Sequence, residues 1–455
     1  LEHVIHSDTA FGHARLVLCT REKDHSGICW TDDHNVGVVA DARIYNRKEL
    51  IAALELPRSA SDAEIFLYAY LHWNKNLLDY LDGDFSFAIY DRCKQELFAA
   101  RDPFAAKPFF YVMFPDRFIF GSEPKQMIGF HFGVKPEPDP LEIARHLTGT
   151  LRAGKRTAWK EVCRLRPGYF LKAVPGRTSQ HPYWEPDSSK LPAFKDRREY
   201  VAEIRTRLTQ AVAKRISVDT PVALELSGGY DSSSLNLIAG KLFLQGQEEY
   251  SQDLFSISST YQYAETDESA YIEAVRQILP YPGEILEAST DSSEVDLSAA
   301  LWHLDSPRAY IEEVRDQQMF NILQKRGARV LINGVGGDDL FWEPSCCMDL
   351  LRFGNMADIM RWAGDCHSRS TIFSWLVDSF RQSAPSWLRT VYRSLKRNNH
   401  SGIEINLLSP ALLHELLSDD QEDYTYPLPE GLTSCQAEIF GWLTDSRFLR
   451  TLEDM

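Results

Sequence analysis

The sequence predicts an α/β protein in two parts, an antiparallel β-rich domain over residues 1–186 and a parallel-sheet α/β domain over residues 187–455. Three features carry that expectation. Short apolar runs separated by turn residues fill the first part, and the aperiodic Pro, Ser, Asp and Lys between Pro182 and Arg197 read as a linker, with a boundary near Asp187. Beyond it, strand patterns alternate with helical ones, which points to a parallel sheet wrapped by helices. In the first part the strand candidates are residues 14–19, 36–40, 85–90, 97–100 and 117–120. The alternation from Phe85 to Tyr90, followed by Asp91-Arg92-Cys93-Lys94 and a second run, predicts a hairpin with a four-residue polar loop. In the second part residues 200–216 are helical by period, and 222–226 form an apolar run short enough for a buried strand. Leu235, Ile238, Ala239 and Leu242 then mark one stripe of a helix. Strands at 255–258, 283–287 and 330–332 and helices at 268–279 and 311–326 continue the pattern. From about Arg352 the chain reads as Trp-rich and helical.

Composition narrows the function. At 455 residues the chain is long enough for two to four domains of roughly 100–200 residues each. Its 49 Lys and Arg against 65 Asp and Glu leave a net charge of −16, which argues against a general nucleic-acid binder. No apolar stretch is long enough to span a membrane, and Leu1-Glu2-His3-Val4 opens no signal peptide. Eight scattered cysteines show no CxxC pair, so neither a disulfide framework nor a zinc site is indicated, and the cytoplasm is the expected compartment. Cys346 and Cys347 are adjacent without a histidine at ligand spacing, so no metal is assigned to them.

The densest chemical signal is Leu226-Ser227-Gly228-Gly229-Tyr230-Asp231-Ser232-Ser233-Ser234, between a predicted buried strand and an amphipathic helix. Two glycines let backbone approach an anion, serine hydroxyls add donors, and the helix N-terminus adds oriented N–H groups, which together make a phosphate cradle. A tight turn capped by Asp231 or Ser232 would explain one glycine and one cap, not two glycines and three serines. The loop is neither GxxxxGK[ST] nor GxGxxG. Asp231 would repel a phosphate unless a hard divalent cation lay between them, which implies magnesium. A second loop, Asn333-Gly334-Val335-Gly336-Gly337-Asp338-Asp339, follows another predicted parallel strand, so Asp231 and Asp338 are expected to share one Mg–pyrophosphate unit.

Ser227-Gly228-Gly229-Tyr230-Asp231-Ser232-Ser233 resembles the pyrophosphate loop of the N-type ATP pyrophosphatases, and the domain order resembles that of the asparagine synthetase superfamily. Leu81–Asp91, Ala100–Pro108, Phe118–Lys125 and Arg166-Pro167-Gly168-Tyr169 are similar to consecutive blocks of that family's glutaminase-like, Ntn-type domain. Asp305-Ser306-Pro307 and the second glycine loop resemble blocks of its synthetase domain. The resemblance implies an enzyme that activates a carboxylate with ATP and Mg²⁺ as an acyl-adenylate, releases pyrophosphate, and lets an amine attack. It implies Asp231 and Asp338 as catalytic metal ligands. Leu226, Ser227, Gly228, Gly229, Asp231, Ser232, Ser258, Gly334 and Val335 would line the nucleotide site, with adenine near Ser256–Ser258. Asp267 and Glu268 are read as helix-start acids that suit the dipole.

Three departures shape the expected activity. Glutamine-using members open on a nucleophilic Cys where this chain has Leu1, and Asp41-Ala42-Arg43-Ile44-Tyr45-Asn46 replaces the glycine and glutamate of the family's glutamine-holding segment. Ser61-Asp62 is kept. The first domain is therefore expected to be inactive as a glutaminase, with neither Cys19 nor Cys29 standing in. Val335 occupies the position of an acid or tyrosine in relatives and can move no proton, which suits an amine nucleophile already partly neutral, such as a peptide α-amine with pKa about 8. These features most resemble lasso-peptide macrolactam cyclases. A precursor peptide is the expected partner, with a leader-binding protein and a leader peptidase implied by the resemblance. The alternatives are an ammonia-dependent asparagine synthetase or amidotransferase relative, and a non-catalytic nucleotide-binding peptide chaperone. Residues 380–400 read as a packed helix with a basic face. The chain ends at Met455, before the segment where the family carries a lysine.

Overall fold

A computed structural model describes residues 2–337, except 7, 15, 20–24, 130–131, 148–153, 188–193, 195, 261–267, 288–296 and 307–312, together with residues 340, 409, 411 and 412. Asp267, Asp338, Asp339, Cys346, Cys347 and the helices expected beyond Arg352 lie outside the described residues.

The first domain runs β1 (Glu2–His6), β2 (Thr9–His13), β3 (Ile28–Trp30), β4 (Val36–Ile44), α1 (Arg47–Ala53) and α2 (Asp62–Trp73). It continues with β5 (Gly83–Asp91), β6 (Glu96–Arg101), β7 (Phe110–Met113), β8 (Phe118–Gly121), α3 (Pro140–Leu147), β9 (Cys163–Arg164), β10 (Tyr169–Val174) and β11 (Arg177–Pro182). Its central sheet has the order β11-β10-β6-β5-β4-β3, every pair antiparallel. The period-2 alternation sorts the two faces. Phe85, Phe87 and Ile89 of β5 pack with Phe98 under α2, whereas Ala88, Ala99 and Leu171 face the aromatics Phe109 and Tyr111 beside the small sheet β8-β7-β9. The core is thus two layers on either side of one sheet.

Two sequence expectations change here, and one helix is added. Of the strand expected at 14–19, the described residues 14 and 16–19 form none: β2 ends at His13, and Leu18 and Cys19 instead pack among Val212, Ile216 and Val218 of the second domain. The main chain of that segment is spent on the same junction, since the Val17 carbonyl accepts from Arg329 and the Leu18 carbonyl from Asp219. The β5–β6 hairpin pairs Asp91 with Glu96, so its loop is Arg92-Cys93-Lys94-Gln95, one residue later than predicted. The reason is local: Asp91 accepts from the Lys94 amide and Gln95 takes a φ of 50°. Among the strands lies α2, which opens on a capping box in which Ser61 Oγ accepts from Glu64 N and the Glu64 carboxylate accepts from Ser61 N.

The second domain runs α4 (Arg197–Ile216), β12 (Val222–Glu225), α5 (Tyr230–Leu244), β13 (Leu254–Thr260), α6 (Ser269–Arg276), β14 (Gly283–Glu287), α7 (Leu297–Leu304), α8 (Glu313–Arg326) and β15 (Val330–Ile332). Its sheet has the order β14-β13-β12-β15, with every pair parallel. Ala223, Phe255 and Ile257 meet Met319 and Leu323 of α8, while Val222, Leu224 and Ile332 meet α4 and α5 through Val212, Ile216 and Ala239. Helices on both faces explain why these strands read as continuous apolar runs. From β12 the chain moves outward to β13 and β14, then returns to place β15 on the other side of β12, a reversal of strand order. Such a reversal leaves a crevice at the carboxyl ends of the two diverging strands.

The domains meet through named contacts. Arg43 of β4 donates to the carbonyls of Lys214 (2.7 Å), Arg215 (3.2 Å) and Ser217 (3.4 Å) at the end of α4. Asp305 takes a left-handed φ of 55°, and its carboxylate accepts from Lys125 N (3.0 Å) while its carbonyl accepts from Trp159 Nε1 (2.8 Å). Burial pushes the Asp305 carboxyl up, against the lowering effect of Lys125. No described helix is long and apolar enough to cross a membrane.

Candidate functional site

The first glycine loop occupies the crevice beside β12. Leu226 is fully buried, and its N–H donates to the Ile257 carbonyl (2.8 Å), so the β12–β13 ladder continues to the mouth of the turn. Gly228 has φ +90°, and a Cβ there would stand 2.9 Å from Tyr271 Cβ and 3.3 Å from Ile272 N. Only glycine combines that angle with that closeness. Gly229 is the N-cap of α5 and brings no capping side chain, so Asp231 and Ser232 lie in the first turn rather than at the cap. A helix start of this kind leaves N–H groups without intrahelical partners at its positive end.

The hydroxyls organise the loop. Ser232 Oγ accepts from Ser227 N (3.1 Å) and lies 3.0 Å from Ser227 Oγ, while Gly229 N donates to Ser227 Oγ at 3.4 Å. Ser258, at the carboxyl end of β13, is fully buried, and its Oγ has no hydrogen-bond partner among the described residues. Ser233 Oγ is in the same position. Tyr230, by contrast, is 95% exposed.

The second loop follows β15, hydrogen-bonded to β12 with Leu224 opposite Ile332. Val335 N donates to Asn333 Oδ1 (3.4 Å), Gly336 takes φ +83°, and Gly337 N closes on the Gly334 carbonyl (3.1 Å). The two loops press on each other. A Cβ on Gly334 would stand 2.9 Å from Ser232 N and 3.2 Å from Asp231 Cβ, and one on Gly337 would overlap the Asp231 carboxylate itself. Asp231 therefore sits where the two loops touch, half-buried, with the residue before Asp338 directly against it. Of the residues singled out in the sequence, the fold brings Leu226, Ser227, Gly228, Gly229, Asp231, Ser232, Gly334 and Val335 to one crevice, with Ser258 at the end of the neighbouring strand. Val335 is 52% exposed and carries no acid or base. Glu268 is the N-cap of α6, yet its side chain makes no capping hydrogen bond, so only its charge suits the helix end.

The two loops offer the Asp231 carboxylate, serine hydroxyls and main-chain groups, without a histidine or cysteine of their own. That set fits a hard cation such as magnesium rather than zinc. No group of three or more His, Cys, Asp or Glu suited to a metal occurs among the described residues.

A cavity where the first domain meets Arg329 beside β15 has a different character. It measures 560 Å³ and is bordered by Asp41, Asp62, Asp84, Lys107 and Arg329. Each of its carboxylates is engaged: Asp41 with Lys107 at 2.9 Å, Asp62 with Arg47, and Asp84 with the Tyr45 hydroxyl. Burial, with Glu64 and Asp32 nearby, pushes the Cys29 thiol up to about 11, the reverse of what a nucleophile needs. Cys19 is buried with its thiol toward the Ser217 carbonyl.

Comparison with known proteins places these two regions. Residues 2–184 match the model described as a glutamine amidotransferase domain, and residues 203–423 that described as asparagine synthase. Amidase chyE of Penicillium rubens is 28% identical over 346 residues, covering 72% of this chain and 50% of that protein. Amidase chry2 of Gibberella zeae is 29% identical over 344 residues, again 72% and 50%. Asparagine synthetase (glutamine-hydrolyzing) 3 of Bacillus subtilis is 32% identical over 240 residues, 51% of this chain and 38% of that protein. The chain thus spans half or less of the length of these relatives.

Proposed function

This chain belongs to the asparagine synthetase superfamily, and from that premise we propose that it is an ATP- and Mg²⁺-dependent carbon–nitrogen ligase that closes a macrolactam on a precursor peptide. The observation that carries the ligase reading is the contact of two glycine loops over Asp231, at the carboxyl ends of adjacent parallel strands where their order reverses. An oxygen of an Asp or Glu side-chain carboxylate attacks the α-phosphorus of ATP. The bond to the β-phosphate bridge breaks and pyrophosphate leaves. The peptide's N-terminal amine then attacks the acyl carbon, gives up its proton, and expels AMP. The peptide loses one water in total.

The chain's own groups have distinct parts in this scheme. Ser227, Gly228, Gly229 and Ser232 would hold the departing pyrophosphate through hydroxyls and N–H groups, and no P-loop lysine is needed for a phosphate pair that leaves. Asp231, with Asp338, would hold magnesium, which neutralises the charge growing on the leaving group. The adenine would lie near the main chain of Ser256–Ser258. At Val335 no proton acceptor is offered, so the nucleophile must arrive partly deprotonated, and a peptide α-amine meets that condition better than ammonium. The first domain would act as a scaffold, because Arg43 spends its guanidinium on α4 at the segment where relatives hold glutamine.

A second reading has its own support in the similarity to asparagine synthetases, namely amide formation on a small carboxylate with ammonia. The deciding experiment incubates the chain with ATP, Mg²⁺ and a candidate precursor core and follows pyrophosphate release and peptide mass. Peptide-dependent pyrophosphate with loss of one water is the expected result. Pyrophosphate that depends on aspartate and ammonia instead, with no change in peptide mass, overturns the macrolactam reading. No pyrophosphate with any acceptor overturns the ligase reading and favours a peptide chaperone.

A further inference from the structure

One buried polar network beside the loop has no part in the scheme above. Asn236, in the second turn of α5, is fully buried. Its Nδ2 donates to the Glu225 carbonyl (2.9 Å) and to the Ser232 carbonyl (2.9 Å). Glu225 is the last residue of β12 and Ser232 lies in the first turn of α5, so one side chain ties together the two ends of the glycine loop. Both amide hydrogens point at carbonyl oxygens. The reversed amide would set Oδ1 against both of them, so the orientation follows from the chemistry of the partners. From the opposite side the Tyr281 hydroxyl donates to Asn236 Oδ1 (3.1 Å) and to the Asn236 carbonyl (2.9 Å). Burial holds the Tyr281 hydroxyl above the ordinary tyrosine range, so it stays a donor, and its ring packs edge-on against Phe243.

A side chain needed only to fill space here would be apolar, because every buried polar atom must find partners. The network instead places its bonds on the main chain of the loop. Ser232 is the shared member: its carbonyl is held by Asn236 and its hydroxyl meets both Ser227 N and Ser227 Oγ.

We propose that Asn236, oriented by Tyr281, is the positioning residue of the phosphate loop, fixing the distance between Glu225 and Ser232 and so the aim of the Ser227 and Ser232 hydroxyls. This rests on the nucleotide reading above. The role is specific to phosphate, since neither residue is placed to touch adenosine. Removing the network should therefore weaken a triphosphate and leave the nucleoside alone, whereas a purely structural role would shift both or neither.

The test is calorimetric titration of the full chain with a non-hydrolysable ATP analogue plus Mg²⁺ and, separately, with adenosine. Affinity for the analogue should fall about tenfold in Asn236→Leu and about threefold in Tyr281→Phe, with adenosine binding unchanged. If Asn236→Leu does not fold, Tyr281→Phe decides, since it keeps the ring and loses one hydroxyl. Wild type that prefers the analogue, with variants that keep the full preference, overturns the Asn236 assignment alone. Variants that lose both ligands equally overturn it as well. Wild type that binds adenosine and the analogue equally overturns the nucleotide reading and this inference with it.

Discussion

Arg43 of the first domain and Asp231 of the second lie in surroundings of opposite character. Arg43 directs three hydrogen bonds into the last carbonyls of α4, and the carboxylates around the neighbouring cavity are matched to Lys107, Arg47 and Tyr45. Around Asp231 the loops are glycine-rich and closely apposed, while the Ser233 and Ser258 hydroxyls are buried with no hydrogen-bond partner among the described residues.

Substitutions can break this contrast from either side. The largest expected effect is at Gly337, where a methyl group would overlap the Asp231 carboxylate. Gly337→Ala should lower ATP-dependent pyrophosphate release by about 100-fold, because displacing a positioned group by an ångström costs on that order. Circular dichroism and melting should stay close to wild type, since the loop is at the crevice and not in the core. A variant with undiminished turnover would show that the two loops do not act together.

On the other side, Arg43→Ala removes charge-assisted hydrogen bonds to a helix C-terminus. It should cost about 2 kcal/mol of stability in denaturant titration, with pyrophosphate release per folded molecule unchanged. If Arg43→Ala leaves stability intact but abolishes release, the first domain is more than a scaffold. The smallest effect belongs to Ser61→Ala, which deletes the α2 capping box away from the two glycine loops and should cost about 1 kcal/mol by the same titration without altering release.

Both glycine loops were legible as loops because Ser227-Gly228-Gly229 and Gly334-Val335-Gly336-Gly337 announce themselves by composition after apolar runs. The β12 to β15 strands were legible too, since helices on both faces leave their strands uniformly apolar. What composition cannot express is that Gly337 lies against Asp231, a contact made only once β15 crosses to the far side of β12. Asn236 gave no signal at all: an Asn inside a helical stripe looks like any exposed polar residue until Glu225, Ser232 and Tyr281 are seen around it. The misreading of residues 14–19 has the same origin, because an apolar run records that burial occurs and not which core it joins. Ser61-Asp62-Ala63-Glu64 carries the S-x-x-E start of α2, a signal that the reading of this region as β-rich passed over.

Leu18 and Cys19 leave the first domain to become part of the second domain's hydrophobic interior, beside Val212 and Ile216. A fragment beginning after the linker would carry a hole where those two side chains belong, and would open Asp219 and Arg329 to new neighbours. The first domain therefore contributes side chains to the core of the second, whatever chemistry either one carries out.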